Sequence, residues 1–257
     1  MKKLTLMILL TFFLGACGSS SAEHENKLLV SAASSLTEVM EEAEEAFHKE
    51  YPDIELAFNY GSSSKLRSQM QQGAPVDVFL SASEQDMNEL TAEQLVAKES
   101  VVSFAKNQLV LASNKTFPKN AGFEEQLAST REAIAVGEPD SVPLGRYTKE
   151  ALEQLGLWKS LEGNLIYAKD ARQVLTYVES GNAEVGIMYA SDAFVSKKVK
   201  GILEFPEELP PVVYPAGIAV KSENTEAAEA FLEFLTGSEG QEILERTGFI
   251  RAEGGKP

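Results

Sequence analysis

Apolar positions along the chain fall into two alternating patterns from Lys27 onward. Leu28-Leu29-Val30 is followed by Leu36, Val39, Met40, Ala43 and Phe47, whose spacing of three and four marks one face of a helix. Ile54 to Phe58 is followed by Leu66 and Met70, and Val76 to Leu80 by Met87 and Leu90, with Gly73 and Pro75 as breakers before the third strand. This is a βαβαβ signature, which predicts a mostly parallel sheet covered by helices. A second series of strands is expected at Gln108 to Ala112, Ala133 to Val136, Leu165 to Ala168 and Val185 to Tyr189, with helices after Gly145, Asp170 and Ser191. The C-terminal part predicts a strand over Val212 to Val220 and helices around Ala227 to Leu235 and Glu239 to Arg246. No internal repeat is present. Two α/β lobes of about 100 residues each fit this pattern.

The first residues obey a different pattern. Lys2 and Lys3 precede an apolar run, Leu4 to Leu14, that ends in Leu14-Gly15-Ala16-Cys17. A basic start, a short apolar stretch and small residues before the break predict a secretory signal over 1–16. The run is shorter than the roughly 20 apolar residues a membrane span requires. Residues 17–26 lack apolar periodicity and are expected to form a flexible tether. Cys17 is the chain's one cysteine, so an internal disulfide is excluded. The 39 acidic and 23 basic side chains give a net charge of −16, and setting aside Lys2 and Lys3 makes the rest more negative still. Such acidity argues against nucleic acid as a partner. It also means that an anionic ligand would have to be held by local dipoles.

The turns after the expected strands carry such dipoles. Ala33-Ser34-Ser35, Gly61-Ser62-Ser63-Ser64, Val142-Pro143-Leu144-Gly145 and Lys169-Asp170-Ala171 all lie where open α/β sheets bind ligands, and where helix N-termini offer free N–H groups. Glycine and serine let a backbone come close to a ligand, and each hydroxyl adds a donor. The competing reading is helix capping, since Ser35-Leu36-Thr37-Glu38 fits a capping box. Three consecutive serines, Ser62 to Ser64, exceed the needs of one cap and favour a ligand. Asp170 and Asp192 are expected to face away from the cleft and pair with N–H groups or arginine. Other chemistry is sparse. His24 and His48 are the only histidines, one in the tether and one on a polar helix face, so a histidine metal site is not expected. Ser62-x-x-Lys65 matches a hydrolase nucleophile motif without its partner motifs. No P-loop or G-x-G-x-x-G occurs. Trp158 reads as packing.

Ala33-Ser34-Ser35-Leu36-Thr37, Tyr60-Gly61-Ser62-Ser63-Ser64, Gly73-Ala74-Pro75-Val76-Asp77-Val78-Phe79, Ala135-Val136-Gly137-Glu138-Pro139 with Val142-Pro143-Leu144-Gly145-Arg146-Tyr147, and Gly186-Ile187-Met188-Tyr189-Ala190-Ser191-Asp192 together resemble the ModA family, the molybdate-binding proteins of bacterial ABC transporters. Leu14-Gly15-Ala16-Cys17 likewise resembles a lipobox, in which Cys17 would be acylated and anchor the chain to the outer face of the cell membrane. The resemblance to ModA implies a two-lobed periplasmic-binding-protein-like fold of type II, each lobe a mixed, mostly parallel sheet flanked by helices, joined by a hinge. The first lobe would comprise residues 27–105 and 216–257, the second 106–215. It implies an oxyanion held by the hydroxyls of Ser35, Ser63 and Tyr189 and by the backbone amides of Leu144 and Ala171, with no cofactor, no directly coordinated cation and no catalysis. A membrane permease and its ATPase would be the partners of a monomeric receptor. Another oxyanion, such as sulfate or phosphate, and a serine hydrolase using Ser62 are the alternatives.

Overall fold

The computed structural model describes residues 27–206 and 209–252. The signal, the tether and Cys17 lie outside the described residues. The chain opens with β1 (Lys27–Ala33), α1 (Thr37–Glu50), β2 (Glu55–Gly61), α2 (Ser63–Gln71), β3 (Val78–Leu80) and α3 (Glu84–Ala92). β4 (Val102–Asn107) then passes through a single residue, Gln108, into β5 (Leu109–Ser113). The middle of the chain forms α4 (Phe123–Ser129), β6 (Ile134–Gly137), α5 (Pro143–Gln154), α6 (Trp158–Leu161), β7 (Leu165–Ala168), α7 (Ala171–Ser180), β8 (Val185–Tyr189), α8 (Ala190–Val195) and β9 (Gly201–Glu204). β10 (Val212–Ile218), α9 (Thr225–Thr236), α10 (Ser238–Arg246) and β11 (Ile250–Arg251) complete it.

The strands form a six-stranded sheet, ordered β11-β4-β10-β3-β1-β2, and a five-stranded sheet, ordered β7-β6-β8-β5-β9. Each sheet is mixed. β1 pairs in parallel with β2 and β3, and β6 with β7 and β8, as the alternation of strand and helix predicts. The strands that carry the chain between lobes run antiparallel: β10 against β3 and β4, and β5 against β8 and β9. Lys106, Asn107 and Val212 to Pro215, expected in the second lobe, pair within the first sheet. β4, β9, β11, α4 and α6 were not foreseen, because each is short or lacks a sustained period. Gly201 explains one of them: a Cβ there would lie 2.5 Å from the Lys115 carbonyl, so β9 starts where the backbone passes unusually close to a loop.

Helix α1 shows how periodicity becomes packing. Val39, Met40, Ala43 and Phe47 are all buried, while Glu41, Glu42 and Glu45 on the opposite side are not. Phe47 meets Phe231 and Phe234 of α9 edge to face at 5.2 and 5.4 Å between ring centroids. Each such fully buried side chain contributes about 1.5–3 kcal/mol relative to exposure. His48 is exposed on the polar face, and Trp158 is buried in the second lobe with Lys149 Nζ 5.8 Å from its ring centroid, so both read as the sequence suggested.

Candidate functional site

The carboxyl ends of β1, β2, β6 and β7 each run into the start of a helix, and β8 ends at Tyr189. These ends meet at one small cavity between the two sheets. Ser35, Ser63, Leu144, Ala171 and Tyr189 all line it, together with Ser34, Ser62 and the short side chains of Ala33 and Ala82. No acidic or basic side chain is among its lining residues. All five residues expected from the sequence therefore line one volume; three of them carry hydroxyls and two stand at helix starts.

The serines do not cap their helices. A 3₁₀ turn, Ser34–Leu36, leads into α1, whose N-cap is Leu36 without a side-chain bond, so the expected capping box at Ser35 does not form. Instead the Ser35 hydroxyl pairs with the Tyr214 hydroxyl at 2.9 Å. Ser62 occupies the N-cap position of α2 with extended backbone, yet its hydroxyl donates to the carbonyl of Ser141 in the other lobe. Ser63 Oγ accepts from the Ala82 N–H at 2.9 Å, which leaves its own proton free to donate. The N–H groups in the first turn of a helix have no intrahelical acceptor and a positive dipole end behind them. Leu144 and Ala171 stand in such first turns, of α5 and α7. Pro143 at the start of α5 supplies the preset φ of a first helical residue.

α5 comes this close because two glycines permit it. A Cβ on Gly145 would lie 2.4 Å from the Gly137 carbonyl oxygen, and one on Gly137 would lie 2.7 Å from the Gly145 nitrogen. The helix start thus rests directly on the end of β6.

Tyr189 is 1% exposed and its hydroxyl has no hydrogen-bond partner. Burial, then the neighbouring Tyr214, Tyr147 and Asp192, push its pKa well up, so the hydroxyl stays a donor. Tyr214 is raised for the same leading reason, burial. Asp170 caps α7 by accepting from the Gln173 N–H at 2.9 Å and so turns away from the cleft, as expected. Asp192 departs from expectation. It is buried, and neither carboxylate oxygen has a hydrogen-bond partner. Burial raises its pKa to about 7 against the lowering effect of Arg172.

Beside the cavity the lobes touch through charged groups that the sequence did not single out. Arg146 of α5 donates to Ser64 Oγ at 3.0 Å, Ser83 Oγ at 2.9 Å and Asp86 Oδ2 at 3.3 Å, all in the first lobe. Asp86 is 1% exposed and also faces Arg67 at 3.3 Å. Arg172 of α7 pairs with Glu38 of α1. Arg146 stands inside one of the recognised motifs, but nothing in spacing says that its partner is Asp86. Tyr214 lies in an apolar strand run and carries no sequence signal at all. Lys65 is exposed and Ser62 is committed to a carbonyl, so the hydrolase motif gains no base here. Among the described residues no group of three or more His, Cys, Asp or Glu could hold a metal, and no helix is long and apolar enough to cross a membrane.

Two α/β lobes that meet over a donor-lined, nearly closed cavity at their strand ends define a solute-binding protein. Residues 28–250 match the family model described as bacterial extracellular solute-binding protein. The chain is 38% identical over 256 residues to YvgL of Bacillus subtilis, named as an ABC transporter substrate-binding lipoprotein, covering 96% of this chain and 98% of that one. It is 35% identical over 256 residues to the molybdate-binding protein ModA of Haemophilus influenzae, covering 97% and 99%. The solved periplasmic molybdate-binding protein of Azotobacter vinelandii superposes with a TM-score of 0.80 at 25% identity, covering 88% of this chain and 100% of that one. The chain belongs to the bacterial extracellular solute-binding proteins and, among them, to the ModA family.

Proposed function

We propose that this protein is an extracytoplasmic receptor that captures molybdate or tungstate between its lobes and delivers it to an ABC permease. The observation that carries the reading is the cavity's uncharged, donor-rich lining: a buried Tyr189 hydroxyl without a partner, the hydroxyls of Ser35 and Ser63 and the starts of α5 and α7, with no charged side chain. Ser35, Ser63 and Tyr189 donate through hydroxyls, and Leu144 and Ala171 through N–H groups. Helix dipoles act over a few ångströms, which reconciles an anionic ligand with an acidic protein.

The lining also supports a choice among anions. Molybdate and tungstate are fully deprotonated near neutral pH, so donors satisfy every oxygen. Phosphate keeps a proton there, and hydroxyls that all donate to the anion offer that proton no charged acceptor, at a cost of about 1–3 kcal/mol. Sulfate has shorter bonds, and a cage closed around a larger anion cannot bring all its donors within reach of the smaller one. The chain acts as a monomeric receptor without catalysis or cofactor, and its partner is a membrane permease coupled to an ATPase. Acylation of Cys17 anchors it. One acyl chain binds membranes only marginally, so a diacylglyceryl group, with or without an amide-linked chain, is the physically sufficient form. Cys17→Ser should release the protein from membranes, and normal retention of that variant would remove the anchor from the reading.

Calorimetric competition with a thermal-shift measurement tests the ligand. At about 100 times the dissociation constant the anion adds about 2.7 kcal/mol, or roughly 5–10 °C in melting temperature for a chain of this size. Molybdate and tungstate should bind comparably, with sulfate and phosphate far weaker. No shift with molybdate or tungstate at millimolar concentration would refute the assignment.

A further inference from the structure

Tyr189 and Asp192 stand one helical turn apart at the start of α8, and both are buried with unpartnered polar atoms. The orphan hydroxyl has its explanation in the cavity. The orphan carboxyl does not: Asp192 is absent from the lining, 1% exposed, and has neither an N–H nor a hydroxyl on either oxygen. Leaving a charged carboxylate in that condition is far more costly than leaving a neutral acid.

The groups around it make its charge conditional. α8 packs on β5, β8 and α7. β5 contributes no ionisable side chain. β8 contributes Tyr189, and Tyr214 of β10 feels the same carboxyl from the other lobe. α7 contributes Arg172, with Asp170 at its cap opposing it. Glu179, farther along α7, is occupied by Ser196 at 2.6 Å and by Lys198. Arg172 is the cation that favours the charged form, and it is engaged across the cleft with Glu38. A dianion arriving beside the Tyr189 hydroxyl adds two negative charges to this neighbourhood. In a low-dielectric site the neutral acid is then the form that persists.

We propose that Asp192 is a proton-linked determinant of oxyanion affinity, its carboxyl taking up one proton from solvent when a dianion fills the cleft. The inference rests on the oxyanion reading of the cavity. The raised pKa of about 7 puts the effect in the physiological range. The bound form holds the proton more tightly than the free form, so affinity is complete below the free value and falls as pH rises through it, by up to tenfold per pH unit until the bound value is reached.

Titration of the whole protein with sodium molybdate from about pH 6 to about pH 9, in buffers of different ionisation enthalpy, reads both quantities. The parent should take up as much as one proton per anion above neutrality, with affinity level at low pH and declining above about pH 7. Asp192→Asn should show a flat affinity and no proton uptake. Uptake that persists in Asp192→Asn, or an absence of uptake in the parent, overturns the proposal while leaving the receptor reading intact. The parent measurement stands alone if the variant does not fold. Absence of binding at every pH would remove the receptor reading and this inference with it.

Discussion

The two lobes approach the same cavity with different chemistry. The first offers Ser35 and Ser63, whose hydroxyls are already tied to Tyr214 and to the Ala82 N–H within or beside their own sheet. The second offers the amides of Leu144 and Ala171 at helix starts, and a Tyr189 hydroxyl tied to nothing. The first face is held by its own hydrogen bonds. The second adds the Tyr189 hydroxyl, which has no partner of either kind, whereas Ser63 already accepts a bond and has only its proton left to give. This asymmetry resembles a preset half-cage and a closing half-cage.

Five substitutions test that difference. Gly145→Ala should have the largest effect, because its methyl group must push α5 away from the Gly137 carbonyl and carry the Leu144 amide with it. Overpacking costs about 1–3 kcal/mol of stability, and losing a hydrogen bond to a charged oxygen costs about 1.5–3 kcal/mol of binding. Denaturation and calorimetry should register both losses, and an unchanged affinity would mean that the Leu144 amide does not touch the anion. Tyr189→Phe should weaken molybdate about 10- to 150-fold. Its anion-free melting temperature should hold or rise, since the change removes a buried hydroxyl that has no partner.

Ser35→Ala and Ser63→Ala should weaken binding by a similar or smaller factor and, unlike Tyr189→Phe, lower the anion-free melting temperature. Each strips a partner from a buried group, the Tyr214 hydroxyl or the Ala82 N–H. If all three variants behave alike without the anion, the preset and closing halves are not distinct. Arg146→Ala probes closure without touching the cavity lining. It removes the bridge to Ser64, Ser83 and Asp86, and Arg67 remains beside the carboxylate. An affinity loss of about tenfold is expected, with scattering showing a more open anion-free form. His48→Ala serves as the control and should stay within about 0.5 kcal/mol of the parent.

Periodicity determined the elements that have room to express it. α1 and α9 bury every third or fourth residue, and β7 and β8 have the limits the apolar runs indicate. Short elements such as β9 and α6 escaped, because four residues do not define a period. The five expected residues were legible for a related reason: Ser35 and Ser63 are the second residues after β1 and β2, Leu144 and Ala171 stand at the starts of α5 and α7, and Tyr189 ends β8, all places where local sequence marks a strand end or a helix start. What lies beyond local reach was not legible. The Ser35–Tyr214 pair spans 179 positions and Arg146–Asp86 spans 60, and no spacing rule connects residues so far apart.

The sequence by itself determined which residues could donate, where helices begin, and that the ligand must be held by dipoles rather than by net charge. Tertiary structure alone decided which of those donors stay free. Capping and binding compete for the same serine oxygens, and the sequence points to a cap at Ser35 and to a ligand at Ser62 to Ser64 without settling either. Only the position of Tyr214, Ser141 and Ala82 shows that the serines bond elsewhere and leave their helix starts facing the cavity. The same holds for Asp170 and Asp192. Two acids read alike along the chain, yet one finds an N–H within its own turn and the other is enclosed by packing that offers none. A local bond can be foreseen from neighbours in sequence, whereas the lack of one depends on every element that surrounds the group.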